Sequence, residues 1–265
     1  MKVSEDLARR TGGERAAGLV RGAGTAASGL LPISYEEEQS IGASLALQVL
    51  ARYNGLYEDQ ALTRYVNLVG EAVALTSDRP NIVYHFAILN HDSINAFATA
   101  AGYVFITKGL LQQLRSEAEL AAVLGQAIGP ISEQRLVGVI QRSKILAGGA
   151  EAGSAAVGAN PQLFKSIVDY ASKKLLDEGL DQGDELKADG LGAVFAARVG
   201  YDPNAYLSLL QRLRSLKGDD QAFFKTHPNF SARGKDVETS IASLKRPLPT
   251  VLLSERFMQR LKGHI

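Results

Sequence analysis

Carboxylates, histidines and side-chain amides are the groups in this chain with chemistry to offer. Glu185 and Asp189 lie four residues apart in DELKAD, so one helical face carries both. Such a pair suits metal ligation or another functional polar site. It equally suits carboxylates paired with Lys or Arg, or simply solvated, because acidic groups seldom stay buried unpaired. Asn95 in SINAFA offers an amide that either stabilises a turn between strands or anchors a peptide backbone. The chain has 4 histidines. His85 alternates with apolar neighbours in a strand and should face its less buried side. His91 follows that strand in a surface turn, His227 sits in the loop-like THPNF, and His264 lies near the end of the sequence in a tail. No two of them share a helix at i, i+4 spacing, so nothing in their spacing supports an alternative metal site of His85, His91 or His227 with Glu185. Cysteine is absent, which excludes disulfides, Cys-zinc sites and a thiol nucleophile and leaves the redox compartment open.

The chain has 265 residues, enough to bury a substantial core, with 46% hydrophobic and 22% charged residues. A formal net charge of +1 supplies no field for nucleic acid, and no basic–aromatic interleaving suits base stacking. No apolar run approaches the roughly 18 residues of a transmembrane segment. The start, MKVSEDLARRTGGERAAGLVRG, is charged without an apolar centre and is not a signal peptide, so an exported parent would have its signal removed ahead of this sequence.

The elements that must hold the polar groups are mainly helices. Residues 1–33 read as a Gly/Ala/Ser/Arg-rich arm, 34–245 as one domain and 246–265 as a C-terminal tail. Ser34 with Glu37 is a capping-box pattern opening YEEEQSIGASLALQVLARY. A second helix covers 59–76, followed by strand signals at 83–89 and 103–106. Ser116 with Glu119 opens a helix through LAAVLGQAIG, which either ends at Pro130 or kinks there and runs on into RLVGVIQRSKIL. A small-residue run at 146–160 reads as close helix packing or a loop. Asn160-Pro161 starts a helix to about Leu176. Further helices cover 184–199, stopping at Gly200, and YDPNAYLSLLQRLRSLKG, and two short ones flank the PLP at 247–249. The fold class is α+β, mainly helical, with a small early β-sheet.

Four segments together, SINAFATAAGYVFITKGLL (93–111), SEAELAAVLGQAIG (116–129), DELKADGLGAVFAARVGYDP (184–203) and THPNFSAR (226–233), resemble a known family. It is the gluzincin family of membrane-linked and periplasmic zinc metalloproteases that includes the CAAX prenyl protease, HtpX and the BepA-type proteases. RYVNLVGEAVALTSDRP (64–80) adds a weaker match. The resemblance implies a helix-rich α+β protease domain with a short edge-forming sheet. Its zinc site would lie between an H-E-x-x-H helix and a later helix carrying E-x-x-A-D. It also implies a periplasmic or membrane-associated location in a bacterial envelope.

In that frame, two imidazoles at i and i+4 hold zinc from one helical face, a third ligand comes from the neighbouring helix, and the Glu between takes a proton from metal-bound water. Gln126 stands at the first His position, and its amide oxygen is a poor zinc ligand. Ala127 replaces the base, and Pro130 replaces the second His with a ring that also lacks an N–H. Glu185 alone keeps its ligand position. The resemblance also implies Pro-Gly-Gly before the GYVFIT-like strand, where Ala100, Ala101 and Gly102 stand instead. Asn95, Phe97, Tyr103, Asp189 and His227 are the remaining candidate cleft residues. The expectation is a catalytically inactive relative, without zinc or other cofactor, that binds a polypeptide or envelope protein. The alternatives are a peptidase with a non-standard metal site, and a structural or homo-oligomerising protein with a closed cleft.

Overall fold

Ser34 and Glu37 close a reciprocal capping box in the computed structural model, which describes residues 33–148, 160–217 and 228–265. The Glu37 N–H donates to Ser34 Oγ, and the Ser34 N–H donates to Glu37 Oε2, each at 3.2 Å. This starts α1 (Tyr35–Arg52), and Asp59 caps α2 (Gln60–Ala74) by accepting from the Leu62 N–H at 2.9 Å. The fold is mainly helical α+β, as the sequence pattern indicates.

Among the described residues the sheet has the order β1 (His85–Leu89), β3 (Tyr103–Thr107), β2 (Ala96–Ala98). β1 runs parallel to β3, and β2 antiparallel to it. YVFIT is therefore the central strand, and the edges are β1 and the short β2, the latter inside the INAFA segment. A strand of 3 residues is too short to show period-2 alternation, which is why the sequence pattern leaves it unmarked.

The turn into β3 is held from outside. Ala101 adopts φ 60° and Gly102 φ 92°. A left-handed alanine costs about 1–2 kcal/mol. Its N–H donates to Glu38 Oε1 at 3.0 Å, and Arg79 grips the same carboxylate through both Nη atoms at 3.0 and 2.9 Å. Gly102 is the residue sterics demand here, since a Cβ would sit 2.2 Å from the Val83 carbonyl oxygen. Of the Pro-Gly-Gly that the resemblance implies, the glycine that cannot change is the one kept.

After the short α3 (Lys108–Leu111), α4 (Glu117–Ser132) runs through the middle of the molecule with every residue buried. Such a helix is apolar all round and packs on several sides at once; here α2, the sheet, α7, α8 and α10 surround it. Pro130 neither ends α4 nor joins it to the next helix. The helix passes through it to Ser132, and the chain breaks at Gln134, which has φ 58°. Next come α5 (Arg135–Gly148) and α6 (Pro161–Ser172), whose cap Asn160 accepts from the Gln162 and Leu163 N–H groups at 3.1 Å. α6 widens into a π-helix over Lys173–Glu178 and stops at Gly179, φ 78°. α7 (Gln182–Val199) ends on left-handed Gly200, followed by α8 (Asn204–Lys217), α9 (Phe230–Ala242) and α10 (Ser254–Leu261).

The expected tail is packed: Phe257 and Leu261 of α10 belong to the main core. His264 is held too, with Nδ1 2.5 Å from Asp59 Oδ2, which ties the end of the chain to the cap of α2. The arm 1–33 lies outside the described residues apart from Ile33, and so does most of 146–160.

The Glu38–Arg79 pair yields a stability test. Both side chains are largely buried, so removing one partner strands the other. Glu38→Ala is expected to lower the unfolding free energy by about 3–5 kcal/mol, read from urea titration by far-UV circular dichroism. A change within about 0.5 kcal/mol, the ordinary surface value, would show that Glu38 does not hold the turn.

Candidate functional site

Small residues let α4 and α7 approach closely. A Cβ on Gly192 would lie 2.6 Å from the Ala122 carbonyl oxygen and 2.9 Å from the Gln126 nitrogen. A Cβ on Gly125 would lie 3.0 Å from the Gly192 carbonyl oxygen, and Gly129 faces Ala188. With the backbones this near, Glu185 at the start of α7 comes beside the second half of α4.

The result is an open cavity of about 330 Å³ lined by Gln126, Ala127 and Pro130 of α4, Glu185 of α7, and Asn95 and Phe97 at the β2 edge. Six of the residues singled out from the sequence thus meet on one wall system. Its other walls come from Arg52 and Tyr53 at the end of α1 and from Leu175, Leu176 and Leu180 around the π-helix. Sequence patterning did not indicate these, because an i→i+5 turn has no composition signature. A smaller apolar pocket of about 50 Å³ adjoins, and Asn95, Ala96 and Gln126 line both spaces.

The other candidates fall elsewhere. Tyr103 does not line the cavity; it stacks on His85 with ring centroids 4.9 Å apart, because register pairs the two residues across β1 and β3. Asp189 is also outside the cavity. It is 1% exposed and accepts from Arg233 Nε and Nη2 at 2.8 Å and from the Tyr206 hydroxyl at 2.6 Å. Of the readings open for that carboxylate, the arginine-paired one applies. Burial and then the Asp189 charge push the Tyr206 phenol far up, so it remains a donor. Arg233 stood within the quoted THPNFSAR, but nothing local linked it to α7. His91 accepts from the Ser93 N–H at 3.1 Å in its turn, and His227 lies outside the described residues.

The N-terminus of α4 is pinned by a second buried carboxylate. Glu117, 1% exposed, accepts from the Tyr65 hydroxyl at 2.6 Å, from Arg256 Nε at 2.8 Å and Nη2, and from the Tyr201 hydroxyl. Burial pushes its carboxyl up, but hydrogen bonds from Arg256, Tyr201 and Tyr65 outweigh this and hold it below the usual carboxylate range.

Tetrahedral zinc needs three good protein donors and one open position. The cavity offers one carboxylate, one amide, a methyl and a proline ring, and no three His, Cys, Asp or Glu side chains converge among the described residues. The residues present do not fit that metal.

The sequence profile of peptidase family M48 matches residues 60–241, more than half of the chain. The chain belongs to peptidase family M48. The M48 chain is 28% identical over 238 residues to a beta-barrel assembly-enhancing protease of Yersinia pestis, covering 86% of this chain and 48% of that one. It is 28% identical over 179 residues to the protein of the same name from Escherichia coli K12, covering 65% and 36%. It is 26% identical over 179 residues to a mitochondrial metalloendopeptidase of Arabidopsis thaliana, covering 67% and 36%. The chain spans about half or less of the length of these curated relatives. The resemblance carried by INAFA, GYVFIT and ELKAD is therefore shown at the level of the family and its fold.

Two measurements probe how the M48 site is positioned. Gly192→Ala is expected to cost about 1–3 kcal/mol through overpacking of α4 on α7. Gly183→Ala, where nothing lies within 4 Å, should be neutral or stabilising. Equal urea midpoints for the two variants would rule out the close contact as a constraint. Glu117 has a lowered pKa in the fold, so its contribution is present above the unfolded value of about 4.3 and disappears as pH falls through the folded value. The destabilisation by Arg256→Ala should therefore be largest near neutrality and shrink below about pH 4; a penalty independent of pH would mean that charge pairing is not its source.

Proposed function

We propose that this M48 domain is non-hydrolytic and uses its cleft to hold an extended polypeptide at a bacterial cell envelope. The observation that carries the reading is the pairing of an open cavity with a lost donor set. Gln126 and Glu185 line an open cavity of about 330 Å³, and Gln126, Ala127 and Pro130 stand where the resemblance would put two ligands and the base. Without a carboxylate at Ala127, no group at that position accepts a proton from water.

The rim supports a polypeptide as the occupant. β2 pairs with β3 on one side only among the described residues, so its outer N–H and C=O groups suit an added strand. Relatives named for β-barrel assembly support an envelope location and a polypeptide partner. No helix among the described residues is long and apolar enough to cross a membrane.

Protein purified without chelator is expected to hold far less than one zinc per chain and to leave casein intact. Stoichiometric zinc with chelator-sensitive cleavage would establish a peptidase and sink the reading. The combined variant Gln126→His, Ala127→Glu and Pro130→His should take up zinc through Glu185, measured by competition with a zinc-sensitive dye. No uptake would mean that Glu185 is misplaced for ligation.

A further inference from the structure

The geometry points to Gln126 as the group that reads the bound chain: its carboxamide pairs with the N–H and C=O of one residue of an extended polypeptide. This rests on the non-hydrolytic, polypeptide-holding reading of the cleft and assigns a recognition residue within it.

Gln126 is 7% exposed, its carboxamide makes no hydrogen bond to another described residue, and it lines both the larger cavity and the smaller pocket. A carboxamide that opens on a cavity keeps its donor and its acceptor available to a bound group, and this one stands in α4 within a turn otherwise built of apolar and small residues. The side chain is not sealed in the core. It stands at the neck where the larger cavity meets the apolar pocket of about 50 Å³, opposite the β2 edge. Asn95, the other amide at this neck, already donates from Nδ2 to the Tyr53 hydroxyl at 3.3 Å. Gln126 is thus the less committed of the two.

The chemistry of the occupant follows from the group. A carboxamide donates and accepts side by side, and so does the main chain of an extended residue. The same pairing occurs within this protein. Asn67 Nδ2 donates to the Phe86 carbonyl oxygen at 2.9 Å, and its Oδ1 accepts from the Phe86 N–H at 3.3 Å, so a side-chain amide reads one residue of strand β1. Gln126 would do the same for a strand that comes from outside. An anion is a poorer match, since two carboxylates, Glu185 and Asp177, line the cavity and its one arginine, Arg52, is already paired with Asp177.

The test uses the full chain and, as probe, fluorescein-labelled carboxymethylated α-lactalbumin, an unfolded polypeptide. Fluorescence anisotropy is expected to show about tenfold weaker binding by Gln126→Leu than by the wild type, as for the loss of two neutral hydrogen bonds. The urea midpoint of that variant should be unchanged or higher, because it removes an unpaired polar group; a purely structural role would lower it. In the wild type, the Gln126 side-chain ¹⁵N resonance, assigned by its absence from Gln126→Leu, should shift on saturation with the probe, which decides the matter if the variant folds poorly. Binding by Gln126→Leu within twofold of wild type, or an unmoved resonance in a saturated wild type, overturns the role of Gln126 and leaves the polypeptide cleft standing. No binding by the wild type overturns both.

Discussion

The contact between α4 and α7 is the constraint from which the site follows. Ala122, Gly125 and Gly129 on one helix meet Ala188 and Gly192 on the other; Gly192 leaves no room for a methyl group, and Gly125 and Gly129 leave little. Close backbone approach gathers many weak dispersion contacts at once, and it fixes how far the start of α7 stands from the middle of α4. Those glycines answer to backbone sterics, whereas residues 126, 127 and 130 answer only to whatever occupies the cavity. The two sets can therefore change independently, so the helix spacing does not depend on which side chains stand at 126, 127 and 130.

Four buried carboxylates fix the register of the elements around this helix pair, each with its own arginine: Glu38 with Arg79, Glu117 with Arg256, Glu119 with Arg212, Asp189 with Arg233. A guanidinium presents a rigid fork that matches a carboxylate. Against well-packed apolar residues such pairs contribute little net stability, but leaving either member alone is costly. Their effect is to penalise alternative packings. Glu117 joins α2, α4, Tyr201 just beyond α7, and α10, so α10 helps to seat the helix that lines the cleft.

Legibility in the sequence followed the range of the interaction. Local signals were readable: Ser34 with Glu37, Asn160 before Pro161, and Gly200 after α7 all act as the cap chemistry indicates. Ser116 is half of its expected box, since Glu119 accepts instead from the Arg115 N–H and from Arg212. Long-range signals were not readable. Asp189 and Arg233 are 44 residues apart and His264 and Asp59 are 205, and no spacing rule joins them. The break after α4 was misplaced for a related reason. Proline is a local breaker, yet tertiary packing on all sides of α4 carried the helix past Pro130 to a left-handed Gln134.

The π-helix at Lys173–Glu178 gives the cleft an unusual roof. Each hydrogen-bonded turn there encloses one more residue than an α turn, which resets the phase in which Leu175 and Leu176 reach the cavity, where both also pack against the hydrophobic clusters. In a helix one residue corresponds to about 100° of rotation. Over this stretch the loss of one residue would therefore rotate Leu175 and Leu176 relative to the groove.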